Sequence, residues 1–227
     1  ITEREINLAA SIQAVTEEIV TRMAIFAREE TGKNDLCLSG GVALNCVANG
    51  KLQAQKIFEN IWIQPASGDA GGALGAALFV NYQLLNRKRK LDRHDSMSGS
   101  YLGPSFSNAE ISSFIQENSA CSTFYENEDD LLSFVAEAIK DEKIIGWFQG
   151  RMEFGPRALG CRSIIGDARS EKTQTQMNLR IKYRESFRPF APSVLEERTE
   201  EYFDLDTPSP YMLLVAPIIE EIRIPLS

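Results

Sequence analysis

Apolar residues recur at helical spacing from residue 5 to 30, where Ile12, Val15, Ile19, Met23 and Phe26 share one face and Gly32 supplies the stop. The next run, DLCLSGG (35–41), is too short for a helix and ends in glycines, so it reads as a strand. A helix over VALNCVANGKLQAQKIF (42–58), a strand at IWIQP (61–65) and a helix over AGGALGAALFVNYQLL (70–85) continue the alternation. Strands alternating with helices predict an α/β fold with a mainly parallel or mixed sheet.

The pattern fails between Asn86 and Gly103, where a charged run gives way to Ser/Gly-rich chain. This segment, 87–103, reads as a linker between a domain at 1–86 and a second at 104–227. His94, the single histidine, falls inside it as a solvated loop residue. The second half opens with a capping box at Ser107 and Glu110, ahead of Ile111, Phe114 and Ile115 on one helical face. STFYE (122–126) reads as a strand, and Asn127 caps a helix whose core face is Leu131, Leu132, Val135 and Ile139. KIIGWFQG (143–150) is β-rich and EKTQTQMNLRIKY (171–183) helical. PFAPSVLEE (189–197) is strand-like with a short helix after it, and YMLLVAPII (211–219) is a buried strand.

The chain has 227 residues, 43% of them hydrophobic and 25% charged, a balance that allows a sizeable buried core. No apolar run approaches the ~20 residues of a membrane span, and the N-terminus has acids where a signal peptide needs bases. No membrane partner and a cytoplasmic location are therefore expected. Four cysteines lack any C-x-x-C spacing, so all four are expected to be reduced and structural, with Cys37 and Cys121 buried. An isoelectric point near 4.9 argues against nucleic acid as a partner.

Three segments could carry chemistry. LSGGVALN (38–45) joins a strand to a helix through Gly40 and Gly41, which let the backbone approach a ligand, and helix N-terminal amides favour anions. Asn45, read as one turn into that helix, could reach back to a ribose or phosphate; taken alone, the junction is better explained by simple tight packing. PASGDAGGALGAAL (65–78) repeats the arrangement, with Asp69 placed either to meet a cation or to cap the helix. Two such junctions on successive strands favour a shared nucleotide cleft. The third segment spans 151–190, with nine Lys/Arg against four Asp/Glu: a net +5 inside a chain of net −8, whose remainder carries −13. A basic island in acidic surroundings suits one small, highly charged anion, because a polyanion would be repelled. Arginine forks match phosphate oxygens bidentately, although surface ion pairs are their ordinary use.

Taken together, LSGGVALNCVANGKL, IWIQPASGDAGGALGAAL, GRMEFGPRALGCRSIIGDAR and YRESFRPFAPSV resemble the O-carbamoyltransferases of antibiotic and nodulation-factor biosynthesis. The resemblance implies the second lobe of an actin/sugar-kinase/Hsp70-like (ribonuclease H-like) ATP-binding domain. A smaller α/β domain that handles carbamoyl phosphate follows it, here incomplete. It implies ATP, a divalent metal (iron(II) or magnesium), carbamoyl phosphate and a hydroxyl-bearing acceptor, with transfer through a carbamoyl-adenylate; a homodimer is compatible with it. Carried over, Gly40, Gly41, Val42, Asn45, Gly68 and Gly71 would hold the nucleotide and Asp69 the metal. Arg151, Arg157, Arg162, Lys182, Arg184 and Arg188 would bind carbamoyl phosphate, with Arg157, Arg162, Lys182 and Arg188 also catalytic.

The family supplies two metal-binding histidines from an H-x-x-x-H run before the LSGG segment, whereas this chain has only His94. The chain is thus expected to be a C-terminal portion of a longer enzyme and not to complete carbamoyl transfer alone. Two alternatives stay open: synthesis of the tRNA threonylcarbamoyl group, which uses related domains, and a nucleotide-binding module without chemistry.

Overall fold

The computed structural model describes residues 1–90 and 94–224, so positions 91–93 of the expected linker lie outside the described residues. The described chain is mixed α/β, with helices and two small sheets. It divides into two compact units. The first contains Ile1–Ser100, Gly155–Arg157 and Val194–Ser227, and the second Tyr101–Phe154 and Ala158–Ser193.

In the first unit, α1 runs over Glu3–Thr31. Thr2 and Glu5 form a capping box at its start, and Gly32, left-handed at φ 61°, ends it. Strand β1 (Asp35–Leu38) lies parallel to β2 (Asn60–Ile63), with α2 (Cys46–Ala54) as the crossover. The core is Ala24, Leu52 and Phe58, ringed by Val20, Ala27, Leu36, Leu38, Ile57 and Ile61. Helix α1 therefore buries its small-residue side, Val20, Ala24 and Ala27, which lets α2 and the sheet approach closely. The larger side chains Ile12, Val15, Ile19, Met23 and Phe26 stay more than half exposed. Size misled the periodicity reading: α1 carries two apolar stripes, and the smaller residues face the core.

Helix α3 (Asp69–Phe79) continues into a π-helical turn, Val80–Leu84. Although apolar almost throughout, it has no buried residue. The expected linker is partly packed in this unit: Met97 and Ser100 are buried, and the Tyr211 hydroxyl donates to Asp95 Oδ2 while accepting from the Gly99 N–H at 3.1 Å. Residues 211–219 form no strand beyond a single bridge, Phe203 to Ile218. Their main chain is used on α2 instead: the Val215 N–H donates to Cys46 O at 3.1 Å, and Leu213 O accepts from the buried Asn49 Nδ2 at 3.0 Å. Gly50 permits this contact, since a Cβ there would lie 2.0 Å from Val215 O.

In the second unit, α4 (Asn108–Glu117) starts at the expected Ser107–Glu110 box, with Ser107 N–H on Glu110 Oε2 at 2.8 Å and Glu110 N–H on Ser107 Oγ at 3.3 Å. Helix α5 (Glu128–Lys140) starts at Asn127, whose Oδ1 accepts from Asp129 N–H at 3.1 Å. Its inner side is Leu131, Val135, Ala138 and Ile139; Leu132 is exposed. Residues 122–126 and 189–195 are not strands. The short helix after the latter is a 3-10 segment, Glu196–Glu201, in the first unit's part of the chain. Strand β3 (Ile145–Phe148) pairs antiparallel with β4 (Arg162–Ile165), a strand the sequence reading passed over because it lies inside the glycine-arginine motif. Helix α6 (Thr173–Gln176) then leads into a π-helical turn, Met177–Ile181. Cys161 is the buried cysteine, while Cys37 and Cys121 are exposed, against expectation.

After β4, Arg169 grips the nearly buried Asp167 with a fork of 2.7–3.2 Å bonds and its own N–H at 2.9 Å, holding that carboxyl at about 2. A depressed carboxyl stabilises the fold above its unfolded value of about 3.9 and loses that contribution as pH falls towards 2. Thermal melting between about pH 5 and pH 2 should therefore separate the native chain from Asp167→Asn at the upper end. The two curves should converge at the lower end, and parallel curves would contradict this role.

Candidate functional site

The first unit brings the two glycine-rich junctions together with Gly155–Arg157. After β1, Gly40 adopts φ 99°, a backbone that only glycine takes readily, and Gly41 opens a 3-10 turn, Gly41–Leu44. A Cβ on Gly40 or Gly41 would meet nothing within 4 Å, so their outer side is open to a close-lying ligand. Val42 on this turn is exposed.

Asn45 is not one turn into the helix but is the N-cap of α2. Its Oδ1 accepts from Ala48 N–H at 3.1 Å, and its amide exchanges two bonds with Gln13 at 2.9 and 3.2 Å. Its side chain is committed to the fold, and the 3-10 turn is what shifts the start of α2 to this residue.

At the second junction Ala66 is fully buried, and Gly71 packs on it so closely that a Cβ would lie 1.9 Å from Ala66 O. Gly71 thus serves packing, with its N–H on Gly68 O at 3.1 Å. A Cβ on Gly68 would meet Leu44 Cδ1 at 3.4 Å, placing the two junctions side by side. Asp69 is the first residue of α3 and exposed, and makes no capping bond. Among the described residues no cluster of three or more His, Cys, Asp or Glu side chains could hold a metal.

The short segment 155–157 rests on both junctions. Gly155, at φ +125°, lies against Ala66, and Arg157 Nη2 donates to Leu44 O at 3.3 Å. Arg157 Nε and Ser67 Oγ are buried without an acceptor or donor. A buried donor left unpaired is costly, and an anion at this place would satisfy it.

The second unit organises the rest of the basic segment by capturing main-chain groups. Glu153, 7% exposed, accepts on Oε1 from the N–H groups of Leu159 (2.7 Å), Cys161 (2.8 Å) and Arg162 (3.2 Å). Burial pushes its carboxyl up, but these donors outweigh burial and hold it below the usual range. Arg162 lies over the Phe148 ring, 3.4 Å from its centroid, and donates to Gln149 O at 2.8 Å, Cys161 O at 2.9 Å and, at 3.4 Å, Gly150 O. Arg151 donates to Tyr101 O at 3.1 Å and Leu102 O at 3.3 Å.

On the following segment Asn178 is fully buried. Its Nδ2 donates to Ser186 O (3.0 Å) and Arg188 O (2.8 Å), and its Oδ1 accepts from Arg184 Nε at 2.7 Å. Arg188 pairs with Glu185 at 2.8 Å, and Lys182 is exposed. Of the six expected anion ligands, Arg157 therefore stands with the glycine junctions and the other five belong to the second unit. Sequence reasoning missed Glu153 and Asn178 as organisers. The available signal was a lone acid in a basic loop and an Asn beside Met177 on a helical inner face.

A carbamoyltransferase N-terminus family model matches residues 1–78, and a carbamoyltransferase C-terminus model matches residues 136–226. The uncharacterised protein sll1178 of Synechocystis is 57% identical over the whole chain, which covers 37% of that protein. Nodulation protein NolO of Bradyrhizobium diazoefficiens is 42% identical over 90% of the chain and 36% of its own length. Nodulation protein NolNO of Sinorhizobium fredii is 42% identical over 98% of the chain and 32% of its own length. The chain thus spans about a third of the length of these relatives. With both family models matched in order along it, the chain belongs to the carbamoyltransferase family.

Proposed function

We propose that the chain takes part in ATP-dependent O-carbamoyl transfer, with ATP held at the two glycine junctions and carbamoyl phosphate at the basic segments of the second unit. The observation that carries this reading is the segment 155–157 packed against both junctions, Gly155 on Ala66 and Arg157 on Leu44 O, with the Arg157 Nε buried and unfilled. On this reading residues 1–86 are the C-terminal part of an actin-like ATP-binding fold and carbamoyl phosphate is bound within 104–193; residues 194–224 pack with the first unit.

The open sides of Gly40 and Gly41 admit the nucleotide, and the backbone N–H groups at the start of α3 favour its phosphates. On this reading water releases carbamate and inorganic phosphate from carbamoyl phosphate. The carbamate oxygen attacks the α-phosphorus of ATP, displacing pyrophosphate and leaving carbamoyl-adenylate. An acceptor hydroxyl then attacks the carbamoyl carbon, AMP departs with the bonding electrons, and the hydroxyl proton passes to solvent. Arg151, Arg162, Lys182, Arg184 and Arg188 would neutralise the phosphate of carbamoyl phosphate, with Glu153 and Asn178 fixing the loops that carry Arg162, Arg184 and Arg188. Asp69 could offer a metal one ligand. The described residues supply no further set around it.

Calorimetric titration of the chain tests the assignment of Arg157. Arg157→Ala should weaken ATP binding by about 1.5–3 kcal/mol and leave carbamoyl phosphate binding unchanged. The opposite outcome would return Arg157 to the carbamoyl phosphate set.

A further inference from the structure

Asn49, one turn into α2, is 2% exposed, and its side chain reaches out of its own helix to two distant carbonyls. Its Nδ2 donates to Ala43 O at 2.8 Å and to Leu213 O at 3.0 Å. Both partners are acceptors, so this position must offer two hydrogens from one atom in a small volume. Asparagine does so, whereas serine has one hydrogen to give and an ionised aspartate none.

The two acceptors belong to different tasks. Ala43 lies on the 3-10 turn Gly41–Leu44, and so short a turn leaves its last carbonyls without partners of its own. Arg157 takes Leu44 O at 3.3 Å, and Asn49 takes Ala43 O. The Ala43 N–H in turn donates to Gly40 O at 2.9 Å, so the residue that Asn49 holds fixes the glycine with the open outer side. Leu213 instead belongs to the segment docked on α2, where the Val215 N–H donates to Cys46 O at 3.1 Å and Gly50 leaves room for Val215 O.

We propose that Asn49 is a positioning residue for the nucleotide. It sets the Gly40–Leu44 turn through Ala43 O, and its second bond makes that setting depend on residues 213–215 being docked on α2. This role rests on ATP binding at the glycine junctions. Asn49 touches no nucleotide itself; it acts through Ala43. Coupling of this kind is reciprocal, so ATP held at the turn also tightens the docking of 213–215.

Calorimetry and NMR on the whole chain test this, at a temperature where circular dichroism shows each protein folded. Asn49→Asp keeps the volume but turns two donors into acceptors facing carbonyls, and should weaken ATP binding roughly tenfold to a hundredfold. Gly50→Ala, whose Cβ would lie 2.0 Å from Val215 O, displaces the docked segment while Asn49 is kept. It should weaken ATP binding about threefold or more. Phe58→Leu lowers stability from the core without altering Asn49 or its partners, and should leave ATP affinity within about twofold of native. In the native chain ATP should shift the side-chain amide signals of Asn49, which a bond serving stability alone would not do. Should Asn49→Asp fail to fold, Gly50→Ala and these native-chain signals decide. A native chain that binds no ATP would remove the proposed function and this role with it. Native ATP binding that survives in Asn49→Asp, falls equally in Phe58→Leu, or leaves the Asn49 signals unmoved would overturn the positioning role alone.

Discussion

Replacing Glu153 with alanine is expected to cost about 3 kcal/mol of local stability in the second unit. One buried oxygen there serves three main-chain donors, those of Leu159, Cys161 and Arg162. Alanine would leave all three unpaired, and water reaches them poorly because Cys161 and Glu153 are both buried. Glu153→Gln keeps an acceptor in place and forfeits only its charge, so about 1 kcal/mol is expected. Hydrogen exchange at the amides of Leu159, Cys161 and Arg162 reads this directly. Exchange in the alanine variant should rise by about two orders of magnitude and in the glutamine variant by about one. Equal protection in all three proteins would mean that something other than Glu153 holds the loop.

Gly71→Ala is the second large effect, and its neighbour supplies the control. A Cβ on Gly71 would sit 1.9 Å from Ala66 O and 3.0 Å from Ala66 C, backbone atoms of a fully buried residue with nowhere to retreat. Overpacking of this kind costs about 3 kcal/mol or more, since either the first turn of α3 or the turn before it must move. Gly72→Ala, one residue on in the same helix, meets nothing within 4 Å and should stabilise by about 0.5–1 kcal/mol through helix propensity. Opposite signs at adjacent glycines, read from urea unfolding, are the expected result. Under the proposed function Gly71→Ala also displaces Gly68 and weakens ATP binding, whereas Gly72→Ala does not.

Much of this was legible in the sequence because it rests on local chemistry. The Ser107–Glu110 box, the Asn127 cap and the Gly32 stop are each decided within one helical turn, and each stands where its residues predict. The two strand–glycine–helix junctions were legible for the same reason. What escaped is decided between distant segments. Residues 211–219 have the composition of a strand, but Val215 and Leu213 bond to α2, so their partner is a helix end rather than a strand edge. Strand β4 was hidden because Arg162 and Ser163 read as motif rather than as the far side of a hairpin with β3.

The basic segment shows the same limit. Its charge is plain in the sequence, but whether a guanidinium is free or holding carbonyl oxygens is not. Arg162 and Arg151 hold main-chain carbonyls, and Arg157 is grouped apart from both.

On the proposed function, ATP binds at the glycine junctions and carbamoyl phosphate at the basic segments of the second unit. Hydrogen exchange with each ligand added separately tests it most directly. ATP should protect residues 38–45 and 65–71, and carbamoyl phosphate should protect 149–162 (apart from Gly155–Arg157) and 178–190. Protection of the same segments by both ligands, or of neither set by either, would contradict the account.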